Sequence, residues 1–295
     1  MTRILLIGHD GQVGYELQRT LAPVGALRAV CYPEIDFARP EPLVALVREL
    51  RPDWIVNAAA YTAVDKAESE PDLARQLNAT VPALLAEEAR RLGAGLVHYS
   101  TDFVFDGAQR TPYAETDAPN PLSVYGRTKL EGDRAIQASG ATHLIFRLAW
   151  VYGRRGRNFL LTLQRLAAEG KPLRVVADQV GCPTWCRPVA EVTAAVLARL
   201  AAPDAPFSAR EVSGLYNAVC GGETSWYGFA RALLPPAVAI ASIATAEYPT
   251  PARRPAYSVL DTGKLRATFG LALPRWDDAL SQCLADTPPR TAGPS

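Results

Sequence analysis

Apolar positions in the first half of the chain alternate between two spacings. Arg3–Ile7 (RILLI) is a short apolar run that ends at Gly8. In Gln12–Leu21 the apolar residues Val13, Leu17 and Leu21 recur every four positions, which gathers them on one helix face. The alternation continues. Residues 27–32 read as a strand, 42–50 as a helix, 53–57 (DWIVN) as a third strand, and 72–92 as a long helix containing Pro82. A fourth strand is expected over 96–100, a helix over 123–138 and a fifth strand over 143–150. Strands separated by helices predict an α/β fold, a doubly wound parallel sheet with right-handed crossovers.

After Trp150 the rhythm loosens. Helices are expected over 158–168 and 189–200, a Gly-, Pro- and Cys-rich loop over 178–188, and a strand over 215–219. From Gly221 the segments become short and proline-rich, as in a smaller region wrapped on the carboxyl edge of the sheet. No internal repeat or low-complexity segment interrupts the pattern.

Composition narrows the function classes. A chain of 295 residues with 48% hydrophobic and 21% charged side chains supports a large packed core. Its 31 basic and 30 acidic residues leave a net charge of +1, which gives no argument for nucleic acid or an anionic membrane. An anionic ligand must therefore be held by a few local groups. No apolar run approaches the ~20 residues of a membrane span. Met1-Thr2-Arg3 runs straight into the strand-like ILLIG without a longer apolar stretch, so a cytoplasmic location is expected. Cys31, Cys182, Cys186, Cys220 and Cys283 are scattered and odd in number, and read as reduced thiols. Cys182 and Cys186 stand four apart, but no second Cys/His pair completes a metal site.

Three constellations carry chemistry. Gly8, Gly11 and Gly14 form G-x-x-G-x-x-G between the first strand and first helix. Glycines there let the backbone approach a pyrophosphate, and the helix N-terminus offers free N–H groups. Glu34 and Asp36 follow the second strand, where an acidic residue would grip an adenosine ribose, and Asp36-Phe37 could equally meet adenine. The second constellation is Tyr125-Gly126-Arg127-Thr128-Lys129, with Tyr and Lys one helical turn apart. Keto reduction needs a proton donor for the oxygen, and a tyrosine lowered by a neighbouring cation supplies one. Thr101 ends the fourth strand at the carboxyl edge, and its hydroxyl can polarise a carbonyl or assist the tyrosine. Third, Asn57-Ala58-Ala59-Ala60 closes the third strand with small residues that leave room for a cofactor. Thr101, Tyr125 and Lys129 together form the Ser/Thr–Tyr–Lys arrangement of short-chain reductases.

GHDGQVGYELQR, DWIVNAAAYTAVDKAESEP, HYSTDFVFDG, YGRTKLEGD, FRLAWVYG, DQVGCPT, SWYGFA and RPAYSVLD make the resemblance specific. Over about residues 2–285 the chain resembles the dTDP-4-dehydrorhamnose reductase family, extended short-chain dehydrogenases. The resemblance implies a Rossmann-type domain over 1–172 and about 186–220. It implies a smaller, discontinuous sugar-nucleotide region over about 173–185 and 221–286, with 287–295 a flexible tail. The implied reaction is NAD(P)H-dependent reduction of dTDP-4-dehydro-β-L-rhamnose to dTDP-β-L-rhamnose. Two alternatives are a 4-keto reductase forming dTDP-6-deoxy-L-talose and a regulatory subunit of methionine adenosyltransferase.

The implied roles follow residue by residue. Tyr125 donates the proton, Lys129 binds the nicotinamide ribose and tunes Tyr125, and Thr101 assists. Gly8, Gly11, Gln12, Val13 and Gly14 wrap the pyrophosphate, and Asp36 and Phe37 lie by the adenine. Ala60, Tyr61, Thr62 and Tyr99 line the cofactor channel. Val64, Asp102, Phe103 and Trp150 are sugar-side contacts, with Asn158, Gln179 and Arg254 candidates for the diphosphate or thymidine; Arg187 and Arg253 read equally as surface charges. Phe103 stands where many relatives carry tyrosine, which removes one hydroxyl. An aspartate that some relatives carry near Cys31 is missing, which tilts the expectation from NADH towards NADPH. Glu16 and Glu191 fit the positions of a magnesium ion at a dimer interface, so Mg2+ and a homodimer are further expectations.

Overall fold

The computed structural model describes residues 1–202 and 204–286, and the tail expected over 287–295 lies outside them. The strand–helix alternation of the first half is present: β1 (Arg3–Ile7), α1 (Gln12–Leu21), β2 (Ala26–Val30), α2 (Glu41–Leu50) and β3 (Trp54–Asn57). A one-turn helix, α3 (Val64–Ala67), not foreseen, follows. The long helix expected over 72–92 is present, its hydrogen-bond ladder interrupted by a π turn: α4 (Pro71–Arg75), the turn (Gln76–Thr80) and α5 (Val81–Leu92). The break has a local cause. Pro82 has no N–H to donate, and the amide of Val81 reaches five residues back to Gln76 O. Then come β4 (Gly95–Thr101), α6 (Val124–Ala138), β5 (Thr142–Leu148) and the short β6 (Val151–Tyr152).

The second half holds α7 (Phe159–Ala168), β7 (Leu173–Val176), β8 (Val180–Gly181), β9 (Thr184–Trp185) and α8 (Cys186–Ala201). The loop expected over 178–188 therefore carries two short strands and the start of a helix. The chain continues with β10 (Gly214–Asn217), β11 (Thr224–Ser225), α9 (Trp226–Leu233), β12 (Ile240–Ile243), α10 (Gly263–Phe269) and α11 (Trp276–Ala285).

β2-β1-β3-β4-β5-β10 form one six-stranded sheet, with every neighbouring pair parallel. Successive strand residues point to opposite faces, and both faces are covered. Ile4, Leu6, Val56, Val97 and Phe146 pack with Leu17 of α1 and Val189 and Leu197 of α8. Leu5, Ile7, Ile55, Leu96 and Ile145 pack with Leu43 of α2, Leu85 of α5 and Ile136 of α6. The chain moves outward from β1 to β2 and returns to β3 on the other side, so the order reverses between β1 and β3. Ligands of open α/β sheets bind at that switch point, beyond the strands' carboxyl ends. Outside the sheet, β7 pairs with β12 and β8 with β11, joining the 173–185 segment to the chain after Gly221. No helix among the described residues is long and apolar enough to cross a membrane.

Candidate active site

The carboxyl ends of β1, β3, β4 and β5 open into a cleft of 830 Å³, walled on one side by α6. At the switch point the glycine turn is built for close approach. Gly8 has φ +80°, and its amide donates to Val30 O of β2 at 2.8 Å. A Cβ on Gly14 would lie 2.0 Å from Gly8 O, so only glycine lets α1 start so close to β1. No side chain caps the N-terminus of α1, which leaves its first amides available to a phosphate. Gly8, Gly11, Gln12 and Val13 line the cleft, and Gly14 is packed behind them.

The adenosine end lies past β2. Phe37 and Tyr32 line the cleft there. Asp36 does not: its carboxylate accepts from Ala38 N at 3.0 Å and pairs with Arg39 at 3.9 Å. Asp10, from the glycine turn, does line the cleft. The thiol of Cys31 is pushed up by burial and by the carboxylates of Asp10 and Glu34, which places Asp10 beside the end of β2.

At the other end of the cleft Ser123 caps α6, its Oγ accepting from Gly126 N at 3.1 Å, while Glu68 accepts from Val124 N at 2.8 Å. The helix start thereby fixes Tyr125, whose ring meets Phe103 edge-on at 5.7 Å. Lys129 lies one turn further on the same face, 1% exposed. Thr101 Oγ1 accepts from Phe103 N at 3.2 Å and donates to Asp102 Oδ1 at 3.1 Å. Its hydroxyl also hydrogen-bonds that of Tyr125 and pulls the phenol down.

One electrostatic expectation needs correction. Lys129 does not lower Tyr125 in the protein alone. Desolvation pushes the phenol up to about 12, with Asp102 and Asp133 adding to the rise. The Lys129 amine is turned away, donating to Tyr99 O at 2.6 Å and lying 3.1 Å from His98 Nε2. Burial pushes this amine down to about 8, against the pull of Asp133. Burial also raises Asp102 to about 6, against the pull of hydrogen bonds from Ser258 and Thr101.

The substrate side is an aromatic wall. Trp150 holds the left-handed backbone conformation, φ +45°, and its ring stacks on Trp226 at 3.5 Å and 4°. Phe159 meets Trp226 edge-on at 4.7 Å, and Trp226 Nε1 donates to Gln179 Oε1 at 3.2 Å. Ala60, Thr62, Val64, Tyr99, Asp102 and Phe103 also face the cleft. Arg254 does too, anchored by Asp65 at 2.9 Å.

Other expected contacts lie elsewhere. Asn158 is the N-cap of α7, accepting from Leu161 N at 3.0 Å. Its amide nitrogen donates to Gln12 Oε1 at 2.8 Å and Gly153 O at 2.9 Å, which ties it to the glycine turn, and it does not line the cleft. Tyr61 donates to Glu70 at 2.7 Å, off the cleft wall. Buried Gln179 is tied to Trp226 and to Thr245 at 3.0 Å. Glu16, expected at a magnesium ion, accepts instead from Arg187 at 3.0 Å and Arg19 at 3.4 Å; Glu191 also pairs with Arg19, at 3.4 Å. Arginines thus occupy the carboxylates that the ion would need. No group of three His, Cys, Asp or Glu side chains suited to a metal occurs among the described residues.

A buried polar layer beneath the cleft was not foreseen. Asn78, on the π turn, accepts from Tyr61 N at 2.9 Å and donates to Thr128 at 3.2 Å, tying the loop after β3 to α6. Asn57 and His98 pair at 3.2 Å under Lys129. Asp133 accepts from Ser100, and Arg147 is 2% exposed with its guanidinium over the Phe105 ring at 5.0 Å. The available signal was a polar residue inside a strand otherwise apolar on both faces, as in LVHYST, because such a group must find a partner.

The family described as RmlD substrate binding domain matches residues 1–288. The dTDP-4-dehydrorhamnose reductase of Salmonella typhimurium is 47% identical, covering 96% of this chain and 97% of that one. A crystal structure of dTDP-4-dehydrorhamnose reductase from Bacillus anthracis in complex with NADP superposes with TM-score 0.89, at 31% identity, covering 97% of this chain and 100% of that one. The Clostridium acetobutylicum structure of the same description has TM-score 0.88 and 36% identity, covering 96% of this chain and 98% of that one.

Proposed function

The chain belongs to the RmlD substrate binding domain family, and from that premise we propose how its cleft works. The protein is a dTDP-4-dehydrorhamnose reductase. It reduces the 4-keto group of dTDP-4-dehydro-β-L-rhamnose to dTDP-β-L-rhamnose with NAD(P)H. The observation that carries the mechanism is the meeting of Thr101, Tyr125 and Lys129 in the cleft that begins at the glycine turn.

The bound dinucleotide supplies the hydride. Gly8, Gly11, Gln12 and Val13, with the free amides of α1, would hold its pyrophosphate. Lys129 would hold the nicotinamide ribose. Tyr125 gives its proton to O4 of the sugar, and the Thr101 hydroxyl, turning its one proton from Asp102 to the phenolate left behind, stabilises it. A phenol at about 12 stays protonated across the working pH range, as an acid must. The Trp150–Trp226 wall, Val64, Phe103 and Arg254 orient the sugar nucleotide. Positioning and acid catalysis carry the step.

Finer assignments rest on the same reading. Residues 1–172 and 186–220 form the dinucleotide unit, and 173–185 with 221–286 the sugar-nucleotide unit, supported by β7–β12 and β8–β11 pairing. Either NADH or NADPH can serve as reductant, and the charges at the adenosine end tilt the choice to NADH, against the NADPH expected from the sequence. Asp10 brings a carboxylate to the β2 end, where a 2′-phosphate would be repelled. Arg28 and Arg39, the cations nearby in sequence, are paired with Glu34 and Asp36. Asp10 thus answers for the acidic residue missing near Cys31. A cytoplasmic homodimer without magnesium completes the reading.

The test is an assay with dTDP-4-dehydrorhamnose generated in situ, NADH and NADPH in separate cells, and the product resolved from its C4 epimer. Substrate-dependent oxidation that yields dTDP-rhamnose is expected. The talose epimer would overturn the stereochemistry. No oxidation from protein that binds dinucleotide would favour a regulatory-subunit role.

A further inference from the structure

Beneath Lys129 the hydrogen bonds impose a direction. The amide of Asn57 is oriented by the backbone, because its Oδ1 accepts from Ala59 N at 3.2 Å. Its Nδ2 therefore faces His98, and donates to His98 Nδ1 at 3.2 Å. His98 is 1% exposed and held neutral by burial, well below its ordinary pKa. A neutral ring that accepts at Nδ1 carries its proton on Nε2. That Nε2–H points at Lys129 Nζ, 3.1 Å away. An ammonium has no lone pair to receive it, and two donors would meet. A neutral amine resolves the conflict. It accepts from His98 Nε2–H and still donates to Tyr99 O at 2.6 Å.

We infer that His98, aligned by Asn57, is a positioning residue that parks Lys129 as a neutral amine in the cofactor-free protein at alkaline pH, so that loading the dinucleotide there takes up a proton. This rests on the reading of the cleft as a dinucleotide site. The proton comes from the buffer and forms a third N–H bond on Nζ; nothing is oxidised or reduced. The charged amine then leaves His98, where it meets a donor, and turns into the cleft towards the ribose hydroxyls. The groups around it pull in both directions, with the neutral form favoured on balance. His98 from β4 and Asn57 from β3 favour the neutral form. Asp133 on α6 favours the charged form, but it is also shared with Arg147 of β5. Tyr125 on α6 is a neutral phenol, and Asp102 beyond β4 faces Tyr125. Desolvation, the largest influence on Lys129, favours the amine.

The measurement is calorimetry of NADH binding to the full chain, in pairs of buffers with different ionisation enthalpies, from pH 6.5 to 9. With the free amine half-titrated near 8, uptake should rise from about 0.1 proton or less per NADH at pH 6.5 to about 0.9 at pH 9. Lys129→Met should abolish the rise. In His98→Gln the amide oxygen can accept from an ammonium, so uptake at pH 9 should fall at least about twofold and the alkaline limb of kcat/KM should move to higher pH. Binding without uptake at pH 9, or uptake that survives Lys129→Met or is unchanged in His98→Gln, would overturn the inference alone. Failure of both NADH and NADPH to bind would overturn the dinucleotide reading with it.

Discussion

Replacing Asp102 by asparagine should stabilise the protein at alkaline pH. The carboxyl is 1% exposed, and burial raises it from its ordinary 3.8 to about 6. Hydrogen bonds from Thr101 and Ser258 offset only part of the cost of burial. The sign follows from linkage. A carboxyl raised in the folded state contributes fully below the unfolded value and loses that contribution as pH rises through the folded one. A rise of roughly two pH units corresponds to about 3 kcal/mol, the cost of holding this charge at pH 8. Asparagine keeps the neutral shape at every pH. At pH 4, just above the ordinary value, part of that contribution is already lost, so the variant's stability relative to wild type should be about 2 kcal/mol more favourable at pH 8 than at pH 4. Comparing two pH values cancels whatever the substitution does to packing. Urea denaturation of both proteins at each pH, with equal m-values, reads the difference. A pH-independent difference would refute the argument. The same variant should turn over more slowly, since Asp102 bears on Thr101 and Tyr125, and a charge kept at a cost to stability belongs to function.

Tyr125→Phe should lower kcat by about 10²–10⁴-fold, with the Kd for NADH changed less than about twofold; stopped-flow oxidation and fluorescence titration check this. Gly181→Ala would set a Cβ 2.5 Å from the Trp150 indole. Displacing that ring costs about 1–3 kcal/mol and should raise KM for the sugar nucleotide about tenfold while sparing dinucleotide affinity; an unchanged KM would remove Trp150 from the substrate wall. Asp10→Thr should move the ratio of kcat/KM for NADPH over NADH upward by about fivefold, the scale of ~1 kcal/mol between two exposed charges, measured at low ionic strength.

The parts of the fold and site that repeat or cluster in sequence could be read there. The four-residue spacing of Val13, Leu17 and Leu21 reports α1, and Tyr125 and Lys129 announce themselves by lying one turn apart on one helix. What could not be read depends on elements distant in sequence. Asn158 looks like a ligand until α7 begins at the next residue and claims its oxygen. Glu16 and Glu191 look like a metal pair until α8 brings Arg187 against Glu16, 171 residues along the chain. Pro82 suggested only an imperfection in a helix, yet the π turn before it turns Asn78 onto Tyr61 and Thr128. Trp226 sits in a recognisable motif, but its stacking on Trp150 needs the two segments to fold together. The pairing of Asn57, His98 and Lys129 joins two strands and a helix, and no spacing records it.

Hydride delivery to C4 of the sugar, with Tyr125 as acid, leaves an isotopic mark on the product. The direct test is turnover of dTDP-4-dehydrorhamnose with NADH deuterated at the nicotinamide C4 on the transferred face, followed by NMR of the product. Deuterium should appear at C4 of dTDP-rhamnose, at a rate that collapses in Tyr125→Phe. Deuterium at another carbon, or full-rate transfer without the tyrosine hydroxyl, would contradict it.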